Sequence, residues 1–172
     1  MTGHTIPGLT IAALATIALI QPASLTAQDA SAERAAAVAV ADAALAAISR
    51  GDLGALTDLM LPEAILFPTS TSNGVTRYGA RTRAQQRDAP MNASVTERGW
   101  SPEVRVNGPL AVVWYPYDLY RDGTWSHCGV DAFTLIKHEG HWRIATMAWS
   151  AEQPPVCSKH PDGPPPGAKT PR

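Results

Sequence analysis

The amino-acid sequence predicts an α+β domain in which a mostly antiparallel sheet packs on N-terminal helices, and three observations carry that prediction. Residues 110–150 hold seven of the nine Trp and Tyr residues in three apolar segments parted by two short turns, the pattern of an antiparallel meander. Both faces of these segments are apolar, so both need cover, which a sheet with a solvated back would not. Ahead of them lies an Ala-rich segment with helical spacing, whose small side chains permit close docking on one face. A chain of 172 residues is long enough for one domain with its own core. Its net charge of -1 gives no reason to expect nucleic acid or an anionic membrane as partner.

From the N-terminus, residues 9–20 form an uncharged run followed by Pro22 and small residues ending at Ala27. This predicts a signal peptide over residues 1–27, an exported protein in the periplasm or secreted, and no membrane-spanning helix, although the first eight residues lack Lys and Arg. The domain proper is placed at residues 31–152. Val38, Ala41, Leu45 and Ile48 recur at three- and four-residue steps along a first helix. Gly51 stops it, and Asp52 caps a short second helix that Pro62 ends. Residues 65–67 read as a short strand and residues 68–74 as a loop. Arg77, Arg81, Arg83 and Arg87 then make a basic stretch, expected as a polar helix from Ala80 that is either a solvated face or an attractor of an anionic ligand. Residues 100–106 alternate as a strand and return through Asn107-Gly108-Pro109, a register that brings Arg98 beside Asp118. Residues 153–172 form a Pro-rich tail, expected to be extended and mobile past Cys157.

The turns at Asp122-Gly123 and Glu139-Gly140 set the registers. If each is a two-residue loop, Tyr120 faces Trp125, Asp118 faces His127, Trp114 faces Asp131, and Asp131 faces Ala148. One face then carries Val112, Trp114, Tyr120, Trp125, Phe133 and Trp142 with Asp118, His127 and Asp131 set among them. The other carries Val113, Tyr115, Tyr117, Val130, Ala132, Met147 and Trp149, an apolar patch that predicts a homodimer through this surface, with coverage by the tail as the competing explanation.

The run from Gly129 through Asp131, Phe133 and Leu135, the Glu139-Gly140 turn, and His141-Trp-Arg-Ile-Ala-Thr-Met-Ala-Trp-Ser150 resembles the last hairpin of the nuclear-transport-factor-2-like superfamily, in its SnoaL-like and ketosteroid-isomerase-like branches. The resemblance covers roughly residues 32–151. It implies a cone-shaped sheet curved around N-terminal helices, a ligand-sized cavity in the concave face, and frequent dimerisation through the sheet's back.

Asp118, His127 and Asp131 are the grouping in which ionisable residues of neighbouring strands converge on an apolar wall. Desolvation would raise a carboxyl there and let it work as an acid or base near neutral pH. Asp131 is the candidate general base, His127 the candidate acid, and Asp118 the group that orients the imidazole; otherwise the three are polar lining. Trp114, Tyr120, Trp125, Phe133, Trp142 and Arg98 are the candidate ligand-binding residues. Ser126 and His127 are expected on opposite faces, which excludes a Ser-His-Asp triad. His138 and His141 flank a turn and read as exposed, so no metal is expected, and no phosphate loop or dinucleotide fingerprint follows a strand. Cys128 and Cys157, the two cysteines, are expected to form a disulfide in an oxidising compartment. The function expected is binding of a small hydrophobic or aromatic molecule; the alternative is a cofactor-independent isomerase, dehydratase or hydrolase.

Overall fold

The computed structural model describes Met1 and residues 27–169, so the expected signal peptide lies almost wholly outside the described residues. The chain runs α1 (Ala27–Ser49), α2 (Leu53–Asp58), β1 (Met60–Ser72), β2 (Val75–Tyr78), β3 (Arg81–Thr82), α3 (Arg83–Arg87), β4 (Val95–Gly99), β5 (Glu103–Asn107), β6 (Leu110–Arg121), β7 (Thr124–His138) and β8 (His141–Ala151). One mixed sheet results, ordered β2-β1-β8-β7-β6-β4, with β3 on β1 and β5 on β6. The β1–β8 pair is parallel and the rest antiparallel. No helix among the described residues is long and apolar enough to cross a membrane.

The helical corner follows from local chemistry. Ala37, Ala41, Ala44 and Leu45 turn to one side of α1 and are buried, and their small volume lets the helix axis lie close to the sheet. Gly51, at φ 68, adopts the left-handed conformation that ends α1. Asp52 then accepts the Ala55 backbone N–H at 2.8 Å as the cap of α2. Pro62 does not end that helix; it lies inside β1, within the irregular segment where the pairing with β8 jumps from Met60 to Ile65. Residues 68–72, expected as loop, continue β1 and turn at Asn73-Gly74 into β2, since a Thr/Ser run forms strand readily once an edge is offered. The basic stretch likewise divides between β2, β3 and the short α3 instead of one helix.

Asp122-Gly123 and Glu139-Gly140 are the expected two-residue turns, with φ of 51 and 78, and of 50 and 79, the paired positive values that favour Gly second. Two bulges beyond them change the faces. Tyr120 pairs with Trp125 as expected, but Leu119 pairs with His127, leaving Ser126 as an extra residue in β7. Leu135 pairs with Ile144 while Thr134 pairs with Thr146, leaving Ala145 extra in β8. One extra residue reverses everything past it on that strand relative to its neighbour. Asp118 therefore sits opposite Cys128, not His127; Trp114 opposite Ala132, not Asp131; and Asp131 between Tyr115 and Trp149, not beside Trp114 and Ala148. The core under α1 is built from Val113, Tyr115, Phe133, Leu135, Ile144 and Met147. Each such side chain taken fully out of water contributes about 1.5–3 kcal/mol.

The tail is neither extended nor detached. Cys128 and Cys157 form the expected disulfide with Cα atoms 5.7 Å apart. Beyond it the chain doubles back over the outer face of the sheet. The Lys159 ammonium lies 4.4 Å from the Trp125 ring centroid, the His160 N–H donates to Asp118 Oδ2 at 3.0 Å, and the Lys169 N–H donates to the Gly123 carbonyl at 2.7 Å.

Candidate functional site

The inner face of the sheet leaves one space that the helices do not fill. Ile48 at the end of α1, Leu53 and Leu56 of α2, Gln86 of α3 and Met91 close it from one side. Leu66, Glu97, Tyr117, Leu119, His127, Met147 and Trp149 close it from the sheet, with Arg81 and Arg121 also in the lining. Its volume is about 190 Å³. That exceeds the 150 Å³ or so of an apolar cavity known to admit benzene and falls short of the roughly 300 Å³ at which drug-sized sites begin. A single-ring ligand fits the space.

Glu97 and Asp131 give the cavity its chemistry. Ser49 Oγ accepts the Glu97 N–H at 2.8 Å and donates to the Glu97 carbonyl at 3.1 Å, tying β4 to the end of α1. Held there, the Glu97 side chain is buried, and burial pushes its carboxyl up to about 8. Asp131 is fully buried on the neighbouring strands, and burial together with the charge of Glu97 raises its carboxyl well above the usual aspartate range. Neither Asp131 oxygen has a hydrogen-bond partner among the described residues. Tyr117 feels both carboxyls; burial keeps its phenol neutral, and it donates to the Ser150 carbonyl at 2.8 Å. Gln86 Oε1, also buried, lacks a donor. A carboxyl raised in this way can donate to a ligand oxygen while it holds its proton, or exchange a proton with it after losing one.

His127 joins this cavity. Burial, helped by the charge of Arg121, lowers its imidazole below the usual range. Its Nδ1 lies 3.0 Å from Ser126 Oγ, so the two are not divided between faces as expected; Ser126 is the bulged residue and turns back to its neighbour. No carboxylate completes a triad with them among the described residues. Of the other sequence-predicted site residues, Asp131 stands behind the cavity wall and Phe133 in the core under α1. Trp142, also on the inner face, donates to Glu33 at 3.0 Å, away from the cavity.

Asp118, Arg98, Tyr120, Trp125 and Trp114 belong to the opposite, outer face, a correction that the Ser126 bulge accounts for. Arg98 does pair with Asp118, Nε to Oδ1 at 3.0 Å and Nη2 to Oδ2 at 2.7 Å, and its guanidinium stacks over Tyr120, although the three-residue loop expected to set that register is a two-residue turn with Asn107 opposite Leu110. Asp118 is fully buried under the tail and cannot reach His127. Trp114 is 48% exposed beside Val112 at 40% and Ile136 at 39%. Glu97 was not among the residues singled out from the sequence: Arg98 was expected beside Asp118 on the cavity face, which turns its strand neighbour outward, and it is the Ser126 bulge that leaves Arg98 and Asp118 outside and Glu97 inside.

A larger hollow of about 470 Å³ lies between the start of α1 and the tips of the β5–β6 and β7–β8 hairpins. Two of its charged groups pair with each other, Lys137 donating to Glu33, which also accepts from Trp142.

With this geometry in hand, the relatives are informative. The family model described as a SnoaL-like domain matches residues 17–154. No curated protein matches the chain. Among solved structures, the β subunit of a proposed aromatic-ring-hydroxylating dioxygenase from Novosphingobium aromaticivorans superposes with a TM-score of 0.60 at 12% identity, covering 72% of this chain and 92% of its own. A proposed dehydratase of the nuclear-transport-factor-2-like family from Streptomyces avermitilis gives 0.57 at 14% identity, covering 71% and 97%. A ketosteroid isomerase-like protein from Erwinia carotovora atroseptica gives 0.54 at 18% identity, covering 71% and 98%. At such identities the likeness speaks for the fold alone.

Proposed function

We propose, for a chain that belongs to the SnoaL-like domain family of the nuclear-transport-factor-2-like superfamily, that it binds a small, mainly apolar molecule in the concave cavity. The observation that carries this reading is the cavity of about 190 Å³ with mainly apolar walls, in which Glu97 is a lining residue and behind which Asp131 lies with both oxygens lacking a partner among the described residues. Buried acceptors without partners cost stability, about 1–3 kcal/mol each, and are retained where a ligand uses them. A screen of monocyclic aromatics and small terpenoids by thermal shift tests it: saturation at a hundredfold excess over Kd adds about 2.7 kcal/mol, a rise of some 5–10 °C. Absence of any shift across the screen contradicts the reading.

A second reading, a cofactor-independent isomerase, dehydratase or hydrolase, is favoured by the two raised carboxyls lying together beside a neutral imidazole, since perturbed groups concentrate at catalytic sites. In it Asp131, once deprotonated, is the base, His127 transfers a proton at the cavity wall, and Glu97 is the acid held close by. Product analysis of the hits separates the readings. Turnover that Asp131→Asn abolishes with binding intact supports catalysis, and unchanged ligand supports a binding module.

The disulfide supports export to an oxidising compartment. The exposed strip of Leu110, Val112, Trp114 and Ile136 on the outer face supports a homodimer through residues other than those first expected there. A sedimentation profile showing monomer at micromolar concentration would dismiss the dimer.

A further inference from the structure

Arg81 and Arg121 are lining residues of the cavity that reach solvent, and they mark its mouth together with Met91. Neither guanidinium has a carboxylate partner among the described residues, whereas Arg83 and Arg87 of the same basic stretch both bind Asp58, at 3.5 and 3.1 Å. Arg81 is held in place by Trp149, its guanidinium carbon 5.3 Å from the ring centroid. Arg121 ends β6 beside the Asp122-Gly123 turn, near enough to His127 for its charge to act on the imidazole. The site thus carries two unpaired cations at the opening, apolar walls, and two buried carboxyls at depth. A guanidinium offers paired N–H donors that match a carboxylate or phosphate edge.

We propose that Arg81 and Arg121 select the ligand's charge, so that the cavity takes a small organic anion whose apolar body, about one ring in size, points inward and whose anionic group stays at the mouth. The inference rests on the cavity being the binding site and adds the chemical class of what enters. A cationic ligand would meet like charge at the opening. A neutral one would leave both forks unused.

The test compares benzoate, phenyl phosphate, benzamide and benzylamine, four single-ring probes, by titration calorimetry against the full chain. Benzoate or phenyl phosphate binds at least about tenfold more tightly than benzamide, the lower end of what a charge-assisted hydrogen bond contributes; which of the two is tighter identifies the anion. Arg121→Gln and Arg81→Gln each reduce that ratio severalfold. Arg121 is exposed and unpaired, so its variant folds even if Arg81→Gln loosens Trp149. Arg77→Gln, an exposed β2 arginine outside the cavity, leaves the ratio unchanged. Benzamide binding as tightly as benzoate, or benzylamine binding best, overturns the inference and leaves the cavity reading standing. Failure of all four probes at millimolar concentration overturns both.

Discussion

Glu97 imposes a pH dependence opposite in sign to that of a salt-bridged carboxylate. Burial holds its carboxyl at about 8 against an ordinary 4.5, so between these values the unfolded chain has released a proton that the folded chain keeps. Folding takes up that proton, and stability falls as the pH rises through the window. One fully linked carboxyl gives a slope of about 1.4 kcal/mol per pH unit. Asp131, raised by burial and by Glu97, steepens it to at most about twice that. The useful range begins near pH 7, above which His127, lowered from 6.5, is mostly neutral in both states and adds little to the slope. Below that range the unfolded histidine also takes up a proton, which offsets about one carboxyl's contribution and flattens the rise in stability toward acid. Urea unfolding in half-unit steps up to about pH 7.5 reads the slope directly, and Glu97→Gln reduces it by about half. A wild-type stability that is flat or rising across this range, or a slope that Glu97→Gln leaves alone, refutes the reasoning that Glu97 in the cavity wall keeps its proton in the folded chain.

Other perturbations test the rest of the molecule. Arg98→Met leaves Asp118 buried without its partner and costs about 3–5 kcal/mol by denaturant unfolding; a loss under about 1 kcal/mol would mean that the tail and water satisfy the carboxylate unaided. Cys157→Ser opens a link of sequence separation 29 and costs about 3–4 kcal/mol on the chain-entropy account, and hydrogen exchange at the His160 N–H then accelerates. Gly129→Ala sets a methyl against the Ser150 carbonyl, a backbone atom that cannot step aside, and lowers stability by about 1–3 kcal/mol or more.

The parts of this fold that local chemistry decides could be read from sequence. Asp122-Gly123 and Glu139-Gly140 predict their turns because the backbone there must take positive φ twice. Asp52 predicts its cap, and the three- and four-residue steps from Val38 to Ile48 predict the helix face that docks, with Ala41 and Leu45 buried and Val38 and Ile48 half-buried at its edge. Arg98 pairs with Asp118 as expected, but not by the expected count: the turn holds two residues, with Asn107 and not Val106 opposite Leu110, and the break between β4 and β5 shifts the register back by one. What escaped was the pair of bulges at Ser126 and Ala145, where nothing in the residue types distinguishes an inserted residue from a paired one. Each shifts one strand by a single residue, and that was enough to gather Asp118, His127 and Asp131 on paper when the fold sends Asp118 outward. Glu97 escaped for another reason: in Thr96-Glu97-Arg98 it resembles the solvated side of an edge strand, and only its long-range neighbours make it buried.

If the proposed function holds, the ligand enters the concave side of the sheet and not the outer strip. Methyl-detected NMR during titration with benzoate and with benzamide tests it most directly, because the two faces carry different methyl groups. Saturable shifts concentrated at Leu56, Leu66, Leu119 and Met147 are the predicted result. Shifts concentrated at Val112 and Ile136 of the outer face, with those four unmoved, would contradict it.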